Sequence, residues 1–162
     1  MPAASQTNFN VHPGRRSARL AAVQALYQME LTGSDAETVA QEFCEHRFRD
    51  GEECADEDLF RRIVAGVPHH QIDVDRAVAS SLTRDWKLQR IDSILRAILR
   101  AATFELIGRE DVPARVVIDE YIEIARRFCD TDECGFVNAV LDRLAHAHRP
   151  AEFGSAEDES KT

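Results

Sequence analysis

Apolar residues recur along much of the chain at three- and four-residue intervals, the spacing of one face of a helix. Leu20, Val23, Leu26, Tyr27 and Leu31 form one such stripe, closed by Gly33, and predict a first helix beginning near Arg15. Ser34 or Asp35 can cap a second helix reaching about Phe48, because a side-chain oxygen there satisfies free backbone N–H groups and Glu37 suits the positive helix end. After the acidic stretch RDGEECADED, which reads as a loop, Leu59, Phe60, Ile63, Val64 and Val67 mark a third helix that Pro68 should end or kink. Ile72, Val74, Ala77, Val78 and Leu82 begin a fourth.

The segment WKLQRIDSILRAILRAATFELIG carries apolar residues at Leu88, Ile91, Ile94, Leu95, Ile98, Leu99, Ala102 and Leu106, with Gly108 as a stop. It is expected to be the longest and most apolar helix, at the centre of the fold. Next, Pro113 falls at a first helical position, followed by Val116, Val117, Tyr121, Ile124, Ala125 and Phe128. Asp130 to Asp132 precede a last helix, CGFVNAVLDRLAHAH, that stops before Pro150. No internal repeat, glycine-rich phosphate loop or long heptad array interrupts this pattern. The expectation is an all-α fold of about seven helices, with a helical domain at 15–150 between a flexible N-terminal arm at 1–14 and a disordered acidic tail at 151–162.

Composition agrees with that picture: 162 residues at 44% hydrophobic suffice for one domain with an ordinary core, and Gly and Pro are few. No run of about 18 apolar residues occurs, and MPAASQTNFNVHPG lacks the apolar core of a signal peptide, so the chain reads as soluble, cytoplasmic and without a membrane partner. Cys44, Cys54, Cys129 and Cys134 have no CxxC-type spacing and read as reduced thiols rather than metal ligands. A net charge of −9 argues against binding nucleic acid by bulk positive charge. The local distribution differs from the total. Arg15, Arg16 and Arg19 all precede the first acid, Glu30, while acid is concentrated between Asp35 and Asp58 and in the tail.

Those three arginines, at i, i+1 and i+4 on a helix start, can converge on a run of phosphates with help from the positive helix end. Alone, the cluster equally suits a solvated helix start paired with the acidic loop. Tyr27 and Phe136 can stack RNA bases, or pack as core aromatics. Asn138 can read a base edge or serve an interhelical hydrogen bond. Catalysis finds no motif: His46, His69, His70, His146 and His148 are scattered, and Asp119, Glu120 and Glu123 suit a solvated face with Arg126 and Arg127. Cys129 and Cys134 flank an acidic turn at a spacing that is not diagnostic of zinc. The chain is therefore read as a non-enzyme with no cofactor and no metal.

Taken together, RRSARLAAVQALYQMEL, LRAILRAATFEL, DVPARVVIDEYIEIARRF and FVNAVLDRL resemble the NusB family in order and spacing from about Arg15 to Pro150. That resemblance implies two perpendicular three-helix bundles sharing a long central helix. It further implies an RNA-binding transcription antitermination factor. Such a factor binds boxA RNA in ribosomal RNA leader transcripts as a heterodimer with ribosomal protein NusE, within an RNA polymerase elongation complex with other Nus factors. By position, Arg15, Arg16 and Arg19 match the family's basic RNA-contacting motif, and Phe136 matches an aromatic beside the RNA. Asp132 matches an acidic position in the turn before the last helix, and Tyr27 a tyrosine on the surface shared by RNA and NusE.

The departures are Ser17, where a further arginine can occur, Gly135 in place of a basic residue, and Leu95 where an acidic residue can contact NusE. Fewer cations imply weaker RNA binding without the partner and a shallower salt dependence. Two alternatives stand beside this reading. One is the NusB-like domain of an RNA cytosine methyltransferase, which requires truncation before a long cofactor domain. The other is a helical adaptor whose arginines pair internally.

Overall fold

A computed structural model of the chain describes residues 13–48, 56–83, 86–109 and 111–154. Among these residues there are seven α-helices and no strand: α1 (Pro13–Thr32), α2 (Ala36–Phe43), α3 (Glu57–His69), α4 (Gln71–Ser80), α5 (Ser93–Gly108), α6 (Ala114–Phe128) and α7 (Thr131–His148). A π-turn (Cys44–Phe48) extends α2, and 3-10 turns occupy Leu88–Arg90 and Pro150–Glu152. The all-α expectation holds. The chain divides into two compact units, residues 1–71 and 72–162.

In the first unit α1 packs against α2 and α3. Ala18, Ala21, Ala22, Val23 and Ala25 are wholly inaccessible, so α1 meets its neighbours through a face of mostly small side chains. All five apolar positions expected on α3 are buried, with Phe60 at the middle: Phe43 stacks on its ring at 5.6 Å and Phe48 meets it edge-on at 5.0 Å. Gly33 ends α1 at φ +74°, in the left-handed region that a side chain disfavours, and its N–H donates to the Met29 carbonyl at 2.8 Å. Asp35 is the cap of α2, accepting from the Thr38 N–H at 2.8 Å. The helix start corrects one boundary: α1 begins at Pro13 rather than Arg15, because proline's fixed φ and missing N–H suit a first turn. Residues 1–12 of the expected arm lie outside the described residues.

In the second unit α5 packs on both α6 and α7, and α6 packs on α7. Nine of α5's side chains are buried, the most of any helix described, which places it at the core of this unit. It is not the longest helix, however: it has 16 residues against 20 in α1 and 18 in α7. The expected start near Trp86 fails because the Arg96 guanidinium folds back onto the preceding chain, donating to the carbonyls of Leu88 at 3.1 Å and Ile91 at 2.6 Å. Pro113 stands one residue before α6, as its N-cap. Leu31, Ile72 and Phe128, counted in apolar stripes, are exposed, each at a helix end where the stripe overruns its packing partner.

The far end of α5 is closed by Arg149, whose side chain is 4% exposed. It donates to the carbonyls of Glu105, Leu106, Arg109 and Val112 at 2.6–3.1 Å and to Glu152 at 2.8 Å. One planar fork thereby gathers four carbonyls at the α5–α6 junction, two of which, those of Glu105 and Arg109, also accept from the backbone N–H groups of Arg109 and Val112. Glu152 in turn accepts from the Ala114 N–H at 2.8 Å, capping α6 where Pro113 offers no side-chain acceptor. This corrects the tail boundary, since residues 151 and 152 belong to a hydrogen-bonded turn; residues 155–162 lie outside the described residues. Tyr121 donates to Glu105 at 2.5 Å, both side chains being fully buried. No described helix is long and apolar enough to cross a membrane.

Candidate nucleic-acid interface

Arg15, Arg16, Arg19 and Tyr27 lie on α1 in the first unit; Asp132 and Phe136 lie on α7 in the second. The first turn of α1 contains no acid. Arg15 is half-buried with its Nε 4.0 Å from Asp56 Oδ2. Asp56 also caps α3, accepting from the Leu59 N–H at 3.0 Å, and its own N–H donates to the Gly14 carbonyl at 2.9 Å. One carboxylate thus ties the start of α3 to the basic start of α1. Arg16 is exposed. Arg19, the third arginine expected to converge on phosphate, is 2% exposed. The reason is periodicity: Arg19 shares a helical stripe with Val23 and Leu26, both buried. Tyr27, two turns further on, is half-buried.

The start of α7 is fixed by a reciprocal cap. Asp130 accepts from the Glu133 N–H at 2.8 Å and Glu133 accepts from the Asp130 N–H at 3.0 Å. Asp132 therefore sits inside the first turn of α7, not before it, and is exposed. Phe136 follows one turn later, half-buried, with its ring 4.9 Å from that of Trp86 at an angle of 40°. Trp86 is 48% exposed and was not among the candidates. Its place outside any helix gave no periodic signal, and its contact with Phe136 arises from the tertiary fold. Gly135 is exposed, and a Cβ there would meet nothing within 4 Å. Leu95 is buried, so that position offers a partner no contact surface. Asn138 is exposed.

The remaining candidates have structural surroundings. Burial, reinforced by the Glu133 carboxylate, pushes the Cys129 thiol up to about 11, which keeps it protonated and unreactive at neutral pH. Cys134 Sγ approaches the Cys129 carbonyl at 3.9 Å, Cys44 is buried, and Cys54 lies outside the described residues. Among the described residues no group of three or more His, Cys, Asp or Glu is placed to hold a metal ion. Glu123 pairs with Arg126 at 2.8 Å on the surface of α6, while Glu120 is buried.

Fold and placements together define a small all-helical protein whose polar chemistry is a basic helix start and an aromatic pair at the head of its last helix. The NusB family model matches residues 16–146, and the chain belongs to the NusB family. It is 54% identical over 144 residues to the transcription antitermination protein NusB of Maricaulis maris, covering 86% of this chain and 90% of the relative. To the protein of the same name from Caulobacter vibrioides it is 49% identical over 140 residues, covering 83% and 94%. The solved structure of T. maritima NusB superposes with a TM-score of 0.73 at 34% identity, covering 86% of this chain and 96% of that one. A crystal structure of antitermination factors NusB and NusE in complex with dsRNA shares the fold, at a TM-score of 0.68 and 23% identity over 82% and 96%. This chain spans nine-tenths or more of both relatives, and neither is named as a methyltransferase.

Proposed function

We propose that this chain is a cytoplasmic RNA-binding transcription antitermination factor. It binds a boxA-type sequence as a heterodimer with ribosomal protein NusE, inside an RNA polymerase elongation complex with other Nus factors. The observation that carries this reading is near end-to-end similarity, at 54% identity, to a protein named for antitermination. The geometry supports a division of labour. Arg16, exposed, and Arg15, once it leaves Asp56, neutralise phosphate; Arg19, buried, adds its charge to the same helix start. Phe136 offers a ring face to a base, and exposed Asp132 accepts from a base amino group or a ribose hydroxyl. Tyr27 lies on the surface shared with NusE. Ser17 on α1 and Gly135 on α7 each leave their own unit poorer in cations, so the partner carries a larger share of the affinity.

The test is binding of a single-stranded boxA-type RNA with and without NusE, across salt concentrations, for the native chain and the double variant Arg15→Ala/Arg16→Ala. Arg19 is left in place because its buried side chain makes an alanine there a folding variant. The double variant should bind more weakly, with a salt slope reduced by about 0.7 for each lost phosphate contact. Unchanged affinity would remove the arginines from the site. The Arg15–Asp56 pair favours a second reading, an adaptor whose arginines pair internally. Absence of RNA binding at every salt concentration, with NusE present, would support it.

A further inference from the structure

We infer that Trp86 is a second base-stacking residue, which extends the ring surface of Phe136 along a single strand of RNA. This rests on the proposed RNA-binding role of Phe136. Trp86 is one of few large apolar side chains left open among the described residues, at 48% exposure. Its ring lies 4.9 Å from that of Phe136, and the 40° tilt keeps the two rings from covering each other face to face. Partly exposed aromatic rings in contact with one another form a surface on which bases stack, whatever their sequence.

The segment carrying Trp86 is held before any ligand arrives. The Trp86 N–H donates to the Thr83 carbonyl at 3.0 Å, and Ile91 is buried to the depth of 3% exposure. Arg96, from α5, donates to the carbonyls of Leu88 and Ile91 and to Ser93 Oγ at 2.6–3.2 Å. A platform fixed in this way loses little conformational freedom when it binds. Two cations are available to phosphates: Lys87, just before the 3-10 turn, and Arg90, its last residue, are exposed and form no ion pair among the described residues, beside the exposed acids Asp92, Asp130 and Asp132. An RNA strand supplies both the bases for the rings and the phosphates for these cations. An apolar protein surface would use only the rings.

The chain contains a single tryptophan, so its emission, excited beyond the absorption of Tyr27 and Tyr121, reports on this residue alone. The full chain is titrated with unlabelled single-stranded boxA-type RNA, and separately with NusE, while RNA binding is followed independently by gel shift. Saturable quenching by RNA, with the midpoint of the gel shift, is the expected result. Trp86→Leu should weaken RNA binding about ten-fold, the order of one lost stack, without changing the salt slope, and Trp86→Phe should recover most of the loss. If the native chain binds RNA but its fluorescence does not change, or Trp86→Leu binds as tightly as the native chain, the assignment of Trp86 is overturned and the reading of Phe136 stands. A fluorescence change with NusE and none with RNA overturns it in favour of a protein-docking face. If the native chain binds no RNA with or without NusE, both readings fall. The fluorescence titration needs no variant, so it decides even where the leucine variant does not fold.

Discussion

Gly135 allows a gain-of-function test of the RNA reading. It lies within α7, exposed, with open space where a Cβ would stand, so a lysine can be placed there without displacing any neighbour. In a helix interior glycine is worse than lysine by about 0.7 kcal/mol. A lysine at 135 also faces Asp132 at i−3, a pairing worth a further ~0.3 kcal/mol at an exposed site. Gly135→Lys should therefore stabilise the protein by about 1 kcal/mol and raise Tm by roughly 2–4 °C. If the lysine reaches a phosphate, the slope of log affinity against log salt steepens by about 0.7. Its affinity advantage should then shrink about 2.6-fold between 50 and 200 mM salt, by the same relation. Gly135→Ala separates the two effects, since it stiffens the helix without adding charge. The assays are thermal melting by circular dichroism and binding of boxA-type RNA over a salt series. A lysine variant that melts higher yet keeps the native salt slope would refute the placement of RNA beside Phe136. Equal affinity gains for the alanine and lysine variants would assign the effect to helix rigidity instead.

Two further outcomes follow from contacts made by single carboxylates. Asp56→Asn keeps an N-cap acceptor for α3 but removes the charge opposite Arg15; RNA affinity should rise and its salt slope steepen, with stability unchanged to within about 0.5 kcal/mol. Native affinity in that variant would mean that Arg15 meets no phosphate. Burial works to raise the Glu152 carboxyl, but hydrogen bonds from Arg149 and the Ala114 N–H outweigh it and hold the group below its ordinary value near 4.5. Its ionised form therefore adds stability that is fully present above that pH and is lost as pH falls through the lowered value. Denaturant unfolding of Glu152→Gln should show less stability at neutral pH and a flatter decline in acid than the native chain; parallel pH curves would contradict the account.

Local periodicity was enough to place most helices, and the reason is visible in α3. Its stripe of Leu59, Phe60, Ile63, Val64 and Val67 is buried at every position because a helix packed on one side converts sequence spacing directly into burial. The burial of Arg19 was legible by the same rule, since it is spaced with Val23 and Leu26; its charge drew it into the functional cluster instead. What spacing could not reveal depends on contacts between distant residues. Arg96 ends the expected long helix early by reaching back to carbonyls five and eight residues away, and Trp86 meets Phe136 only through the tertiary fold. Glu152 caps α6 across 38 residues, so a segment with the composition of a loose tail becomes part of the packed structure.

The Arg149 clamp has a consequence for how the chain is made. A ribosome delivers the polypeptide N-terminus first at about 5–20 residues per second, and α5 leaves it well before residue 149. Until that arginine emerges, the carbonyls of Leu106 and Val112 lack its guanidinium as a donor, and α6 lacks the Glu152 cap. The second unit is thus locked by nearly the last of its residues to be synthesised. Chains stalled short of residue 152 should be selectively open to proteolysis at the α5–α6 junction. For the same reason a reporter or affinity tag is best joined beyond Phe153.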